Sequence, residues 1–372
     1  MIKSPRAAHL GELRSEVTSY EHEVAAFGGY YSARFDLTGS MVDVDDWFEH
    51  GLGRHVEVHD PDLEIAFEGF VNQVGINVGQ YAAMRGPLVE VANRVYVVYS
   101  ERDTATDPPT VIPGMITIIS QDTGSQAKWG IWEQAVSGGE TDADGAEYYR
   151  DQFLIENAEP FTDDPRVALE AGGQISVSVE CLGYWAWLLA YPYQDTNSGT
   201  VTCTAKVQNI LQADTNAIFP ADYSHVGSNL ALAPAYEDSG TPAWNVMKAL
   251  TAQGDINNDR WTFGVYEGRK VHYQKVPEEI AYQHRLADPS QPIETVIGGE
   301  VRPWKVRPAR WLFLPDLLTG REQPSPATDW RGDPRFVFVE SVRYRAPYTV
   351  EITGTRVGRL AQIQAKQGLG GR

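Results

Sequence analysis

The first hundred residues repeatedly alternate apolar and polar side chains. Tyr31, Ala33, Phe35 and Leu37 are apolar, and a polar residue separates each from the next. A period of two places successive side chains on opposite faces of a sheet, so the segment predicts a half-buried strand. The same period recurs at 56–58, 65–69, 95–99 and 175–179. These segments predict further strands with one buried face.

A short helix interrupts this first group of strands. Val44, Trp47 and Phe48 follow a helical spacing, and glycines at positions 51 and 53 end it. Residues 29–75 therefore predict the order strand, short helix, strand, strand.

The segment 86–165 combines strand and helix patterns. It predicts a strand at 89–103, a proline-rich loop at 103–114, a strand at 114–122 and a helical stretch at 125–139. A second helix is predicted from about Asp142 to Asn157, with Tyr149, Phe153 and Leu154 on one face together with Ala158. Since a strand follows at 175–179, the segment predicts an α/β insertion between strands of one sheet.

The third quarter of the chain predicts helices and one hairpin. We expect a helix near 201–213 and another that starts after Thr241 as N-cap, with Pro242 as its first residue. The hairpin alternates from Trp261, turns at 267–268 and returns through Tyr273. We expect the helix to pack on it through Trp244, Met247 and Leu250. The last 90 residues return to strands, at 296–314 and 336–358, around a proline-rich loop.

Composition sets outer limits on this picture. A length of 372 residues suits two to three domains. No apolar stretch of about 18 residues is present, and the N-terminus lacks a secretory pattern, so we expect no membrane span and folding in the cytoplasm. Cys181 and Cys203 are too few for a structural zinc site, so we expect buried free thiols.

The net charge of −19 conceals an asymmetry. Residues 300–372 contain 13 basic and 7 acidic side chains, a net charge of +6, so residues 1–299 have a net charge of −25. An acidic body argues against wrapping nucleic acid, since phosphate must be neutralised for binding. It fits a channel through which DNA slides; the alternative is a solvated surface that aids solubility.

Two clusters have the spacing of metal ligands. Glu140, Asp142, Asp144 and Asp151 occupy positions 1, 3, 5 and 12 of a near-match to a calcium loop, with Gly145 at position 6. Position 1 normally holds Asp and position 12 Glu, so the match is imperfect. The alternative is a helix start, in which a side chain caps the first turn and the dipole favours acidic residues.

The second cluster lies on the strand at 55–59. His55, Glu57 and His59 share one face of it, with His50 nearby. The alternative is a solvated strand face, because Val56 and Val58 take the opposite side, toward the core. No catalytic or nucleotide-binding motif is present. We therefore expect no enzyme activity and no cofactor.

Residues 29–75 and 241–277 resemble baseplate hub and tail-tip proteins of phages, the late-control-D-like family. The resemblance rests on the helix between the first strands, the step Phe67–Phe70 (FEGF), and a Trp-bearing helix before an aromatic hairpin. It implies a mainly β fold with α/β segments and two tube-like β-barrels. The implied domains are a first barrel (1–85 and 166–190), an α/β insertion (86–165), a helical region with the helix–hairpin unit (191–285) and a second barrel (286–372).

The resemblance also implies a function. It predicts a structural virion protein, assembled in the host cytoplasm, that forms a homotrimeric hub around the DNA path without binding DNA specifically. Two barrels in each of three subunits would match a sixfold tube and join the tail tube or distal tail protein to a needle, spike or fibres. We expect subunit or tail-partner contacts at six basic residues: Arg302, Lys305, Arg307, Arg310, Arg343 and Arg345.

Two other functions fit parts of the sequence. The aromatic content, with ten Trp and eighteen Tyr, suits a protein that binds or cleaves bacterial surface carbohydrate. Aromatic side chains beside two carboxylates in one groove would favour that function. A secreted adhesin is the third alternative, and the missing signal pattern counts against it.

Overall fold

The structure is a computed structural model. The residues that it describes are 2–3, 9–11, 17–79, 81–103, 105, 108–162, 166–167, 175–193, 201–214, 216–233, 241–257, 259–277, 280–284, 293–295, 299–300, 306–313, 336–346 and 349–355. Their architecture is mainly β, as the sequence predicts.

The described residues among the first 85 form seven strands and one helix. They are β1 (Ile2–Lys3), β2 (His9–Gly11), β3 (Val17–Ala25), β4 (Phe27–Thr38), α1 (Met41–His50), β5 (His55–His59), β6 (Ile65–Val78) and β7 (Tyr81–Arg85). A capping box starts α1, in which the Ser40 hydroxyl accepts from the Asp43 amide and the Asp43 carboxylate accepts from the Ser40 amide. The predicted order of strand, short helix and two strands is confirmed.

Residues 88–157 form a separate α/β unit. It contains a 3-10 helix (Leu88–Glu90), β8 (Arg94–Asp103), β9 (Thr110–Ile116), β10 (Ser120–Gln121), α2 (Thr123–Trp129), β11 (Glu133–Glu140) and α3 (Ala143–Asn157). Strand β8 lies in the middle of a four-stranded sheet, with β11 parallel on one side and β9 and β10 antiparallel on the other. The side chain of Asp142 caps α3 by accepting from the Gly145 amide.

Two predictions for this unit are wrong. The expected helix at 125–139 ends at Trp129, because residues from Glu133 onward pair with β8. The loop expected at 103–114 is in part strand, since β9 begins at Thr110. Both errors involve pairing with β8, a contact that local periodicity does not reveal.

After the insertion the chain returns to the first sheet and then forms helices. The elements are β12 (Arg166–Val167), β13 (Ile175–Gly183), a 3-10 helix (Tyr184–Leu189), α4 (Cys203–Gln212) and α5 (Ala243–Gln253). Strand β13 pairs with β4 along one edge and with β6 along the other. The predicted pairing of the Ile175–Val179 strand with the first strands is therefore confirmed.

The hairpin and the remaining strands complete the chain. They are β14 (Trp261–Tyr266), a 3-10 turn (Glu267–Arg269), β15 (Lys270–Lys275), β16 (Ile280–His284), β17 (Ile293–Thr295), β18 (Gly299–Glu300), β19 (Trp311–Phe313), β20 (Phe336–Arg345) and β21 (Thr349–Thr355). The hairpin is antiparallel, as predicted, and α5 packs on it through Met247 and Leu250. The N-cap of α5 is Pro242 rather than Thr241.

The central sheet has the strand order β21–β20–β3–β4–β13–β6–β7, and every neighbouring pair is antiparallel. It curls into a half-barrel. Since β20 pairs with β3, the described strands of 286–372 belong to the same hydrogen-bonded sheet as the first 85 residues. One sheet thus links the two ends of the chain.

The described residues contain two large hydrophobic cores, one formed mainly by the central sheet and the other mainly by the helices and the hairpin. The core of the sheet contains Phe35, Phe67 and Val179, covered by Trp47 of α1. The second core joins the aromatic 3-10 helix, α4, α5 and the hairpin. Where β14 runs beside β4, a Cβ on Gly29 would lie 2.5 Å from the Val265 backbone, so glycine is required there.

Candidate functional site

The face of the central sheet that points away from its core carries charged side chains from five strands. We call it the polar face. It comprises Glu21, Glu23, Arg34, Asp36, Glu180, Arg343, Arg345 and Glu351. The sequence positions alternate with buried residues, so the local pattern of each strand directs these groups to one side.

Strand register places opposite charges next to each other across the polar face. Arg345 pairs with Glu21, Glu21 with Arg34, and Arg34 with Glu180. The Arg345 Nε atom lies 3.0 Å from Glu21 Oε2, and Arg34 Nη1 lies 3.8 Å from Glu180 Oε1. A second row joins Arg343 Nη2 to Glu23 Oε2 at 3.0 Å. The arginines are therefore neutralised within the chain.

The polar face is slightly acidic as a whole, with five carboxylates against three guanidinium groups. Part of it forms a groove of about 240 Å³ lined by residues of β3, β4, β6, β13 and β20. A shallow groove lined by paired charges offers water and ions many partners but few apolar contacts. This surface is suited to remaining solvated.

The opposite side of β3 is buried and holds a neutral histidine. His22 stacks on Tyr344 with ring centroids 4.5 Å apart, and its Nδ1 lies 2.8 Å from the Tyr20 hydroxyl. Burial, with a smaller contribution from Arg307, lowers the pKa of His22 to about 3. The alternation Glu–His–Glu along β3 therefore separates charged groups outside from a neutral imidazole inside.

The strand predicted to present His55, Glu57 and His59 to solvent is partly covered. His55 is buried: its Nδ1 lies 2.6 Å from the Tyr184 hydroxyl and its Nε2 lies 2.9 Å from Glu57 Oε1. The prediction of a solvated face is wrong for His55, because the 3-10 helix at 184–189 covers this side of β5.

Glu68 completes this buried cluster. Its Oε2 accepts from the Gly268 amide at 2.6 Å, which ties β6 to the turn of the hairpin. Burial raises the pKa of Glu68, although the Gly268 amide and Arg269 oppose the shift. In the described part of the chain, no group of three or more His, Cys, Asp or Glu residues is arranged to hold a metal ion. The cluster joins strands β5 and β6 to the 3-10 helix at 184–189 and to the turn of the hairpin.

The four calcium candidates have separate roles. Glu140 pairs with Arg102 at 2.6 Å, Asp142 caps α3, and Asp151 pairs with Arg150 at 2.8 Å. Asp144 lies exposed in the first turn of α3. The helix-start alternative describes Asp142 and Asp144, and in the described residues no three of the four candidates are arranged to hold a metal ion.

The basic candidates for partner contacts divide into three groups. Arg343 and Arg345 lie on the polar face with glutamate partners. Arg307 lies among tyrosines, with its amide donating to the Tyr282 hydroxyl, and Arg310 is half-buried. Arg302 and Lys305 lie outside the described residues.

Helix α3 shows a surface that the sequence did not predict. Its buried side carries Ala146 and Arg150 rather than the expected Tyr149. Tyr148 and Ile155 are 70% and 73% exposed. The connection between β9 and β10 lies against the same helix, because Arg150 Nη1 donates to the carbonyl of Ile118 at 3.0 Å. Ile118 is itself 72% exposed.

Tryptophan exposure bears on the carbohydrate alternative. Of the eight tryptophans in the described residues, five are buried and three half-buried. Trp132 and Trp187, for example, stack on each other inside the second core. The groove on the polar face has carboxylates but no tryptophan or tyrosine in its lining. The tryptophans of the described part are thus all buried or half-buried.

In comparisons with known proteins, no family model and no curated protein matches this sequence. Within the described residues, no helix is both long and apolar enough to cross a membrane.

Proposed function

We propose that the protein is a structural subunit of a ring-shaped assembly, the trimeric hub of a phage-like tail tip or baseplate. The observation that carries this proposal is the curled sheet with one buried face and one charged, internally neutralised face. A curled sheet forms part of a tube wall, and the polar face would line the passage.

The charge arrangement supports a passage for DNA. Phosphates bind where unpaired Lys and Arg side chains can displace counterions. On the polar face each arginine faces a glutamate, and carboxylates are in excess. DNA would therefore meet a wall without strong binding sites. This arrangement favours a passage wall, rather than subunit contacts, for Arg343 and Arg345.

The proposed hub contains two barrel halves in each subunit. One would comprise β3–β7 with β13, and the other β16–β21, joined where β20 pairs with β3. Three subunits would then present six similar units to a sixfold tail tube. The ring would connect the tail tube or distal tail protein to a needle, spike or fibres in the virion.

Electron microscopy and mass measurement of the purified full chain test this proposal. We expect closed rings of three copies with an axial hole, and the polar face toward the hole. A stable monomer at every concentration, or a ring with the polar face at its outer surface, would refute the proposal.

A further inference from the structure

The α/β unit carries an excess of acidic side chains around its exposed apolar residues. Residues 86–162 contain thirteen acidic and four basic side chains. All four basic groups have acidic partners in the same unit: Arg94 with Glu133, Arg102 with Glu140, Lys128 with Glu159 and Arg150 with Asp151. The excess of nine negative charges therefore has no compensation inside the unit.

These charges surround the apolar side chains of α3. Glu147 and Glu156 are exposed and flank Tyr148 and Ile155 along the helix. Tyr148 and Ile155, which share one face of α3 at a spacing of seven residues, form with these two glutamates what we call the α3 surface. Exposed large apolar side chains with charged neighbours are typical of a protein–protein contact. A partner for it should combine apolar side chains with positive charge.

One segment of the chain has this chemistry. Residues 356–372 contain four basic residues and no acidic one. Leu360 and Ile363 lie three positions apart, between Arg359 and Lys366. The segment follows β21, which pairs with β20 along one side and has no other partner among the described strands.

The two elements start from opposite edges of the central sheet. Segment 356–372 leaves from β21 at one edge, and the α/β unit follows β7 at the other. Six strand spacings separate these edges, about 29 Å measured across the sheet. A donor and an acceptor that follow different edges of the sheet suit a head-to-tail contact between copies, and such contacts form a ring when the rotation between copies closes.

We propose that the α3 surface binds segment 356–372 of a second copy of this chain. The inference rests on the ring proposed above, since each subunit would then donate one segment and accept another. Leu360 and Ile363 would contact Tyr148 and Ile155, and the basic residues would face Glu147 and Glu156.

Mixing two charge-reversed full-length variants tests the contact. The tail variant carries Arg356→Glu and Arg359→Glu; the α3 variant carries Glu147→Lys and Glu156→Lys. We expect each variant alone to associate about tenfold or more weakly than the unmodified chain, because like charges now meet. Their equimolar mixture should regain association, since intact tails meet intact α3 surfaces, and the reversed tails and reversed α3 surfaces again carry opposite charges.

A matched control for the α3 variant carries Asp45→Lys and Glu64→Lys. It makes the same change in net charge, at exposed positions outside the α/β unit. It should associate like the unmodified chain, and at a dilution at which no chain associates, all variants should unfold at the same urea concentration. Unchanged association of the tail variant, or a mixture that stays monomeric after both variants have lost association, would overturn the proposal.

The same data separate this contact from the ring itself. Restored association in the mixture, together with open chains instead of closed rings for the unmodified protein, would support the contact and refute the trimeric hub. Closed trimers formed by the tail variant would support the hub and overturn the contact.

Discussion

The polar face and the α3 surface are both exposed, yet their side chains are satisfied in different ways. On the polar face, neighbouring strands of the same chain provide the partner of each arginine. On the α3 surface, large apolar side chains lie in water next to an excess of acid. The first surface is complete within one chain, while the second lacks apolar cover and positive charge. We infer that the first remains solvated and the second binds.

The largest expected effect is on the free energy of unfolding, and it compares a buried side chain beneath the polar face with an exposed one on the α3 surface. Phe35, which lies under the polar face against Trp47, is buried. Phe35→Ala should lower the free energy of unfolding by about 3–5 kcal/mol, since it leaves a cavity. Tyr148→Ala on the α3 surface should change it by less than about 0.5 kcal/mol. Urea unfolding measures both; a large loss for Tyr148→Ala would show that this side chain supports the fold.

The next effect concerns His22 beneath the polar face. Its pKa of about 3 in the folded chain lies below the ordinary 6.5, so folding favours the neutral ring. The stabilisation is complete above pH 6.5 and is lost as the pH falls toward 3, by about 1.4 kcal/mol per pH unit.

His22→Gln should therefore show a flatter decline of unfolding free energy between pH 6.5 and 4 than the unmodified chain. His272, whose pKa burial and His225 lower to about 4, contributes in the same direction and stays in both proteins. Urea titrations at several pH values give the slopes. Equal slopes for the two proteins would contradict a buried neutral His22.

A smaller effect tests whether the charges of the polar face interact. A double-mutant cycle on Arg345→Ala and Glu21→Ala should give a coupling energy of about 0.2–1 kcal/mol, because both side chains are partly exposed. The coupling should weaken in high salt. The pair Lys128 and Glu159 on the α/β unit is a control of similar exposure. Zero coupling at low salt would contradict the statement that the arginines of the polar face are neutralised by their glutamate neighbours.

The sequence predicts the elements whose pattern is long and regular. The hairpin from Trp261 to Lys275 follows from its alternation, and α3 follows from the acidic start at Asp142. The pairing of Ile175–Val179 with the first strands is also correct. These features depend on short-range spacing or on a return to the same alternating pattern.

Other features depend on contacts that spacing does not contain. Residues 133–140 become a strand only because β8 lies beside them, and His55 is buried only because Tyr184 reaches it. The strand register that sets Arg345 opposite Glu21 is likewise a tertiary property. The alternation of charge with apolar residues signals the polar face, but not which charges pair.

Cysteine labelling in the assembled protein distinguishes the solvated polar face from a binding α3 surface. The native Cys181 and Cys203 give little background, because both are buried and burial raises the pKa of each thiol. Ser178, whose hydroxyl accepts from Arg34 beside Glu180, lies on the polar face, so Ser178→Cys marks that face, and Tyr148→Cys marks the α3 surface. Each variant reacts with a small maleimide under two conditions: at low protein concentration, where the chains are dissociated, and at high protein concentration, where they are assembled.

We predict that Ser178→Cys reacts equally fast in both states, because a passage wall stays in contact with water. Tyr148→Cys should become protected on assembly, because a second copy covers it. The reverse result, with Ser178→Cys protected and Tyr148→Cys unchanged, would contradict the assignment of the polar face to a passage and of the α3 surface to binding.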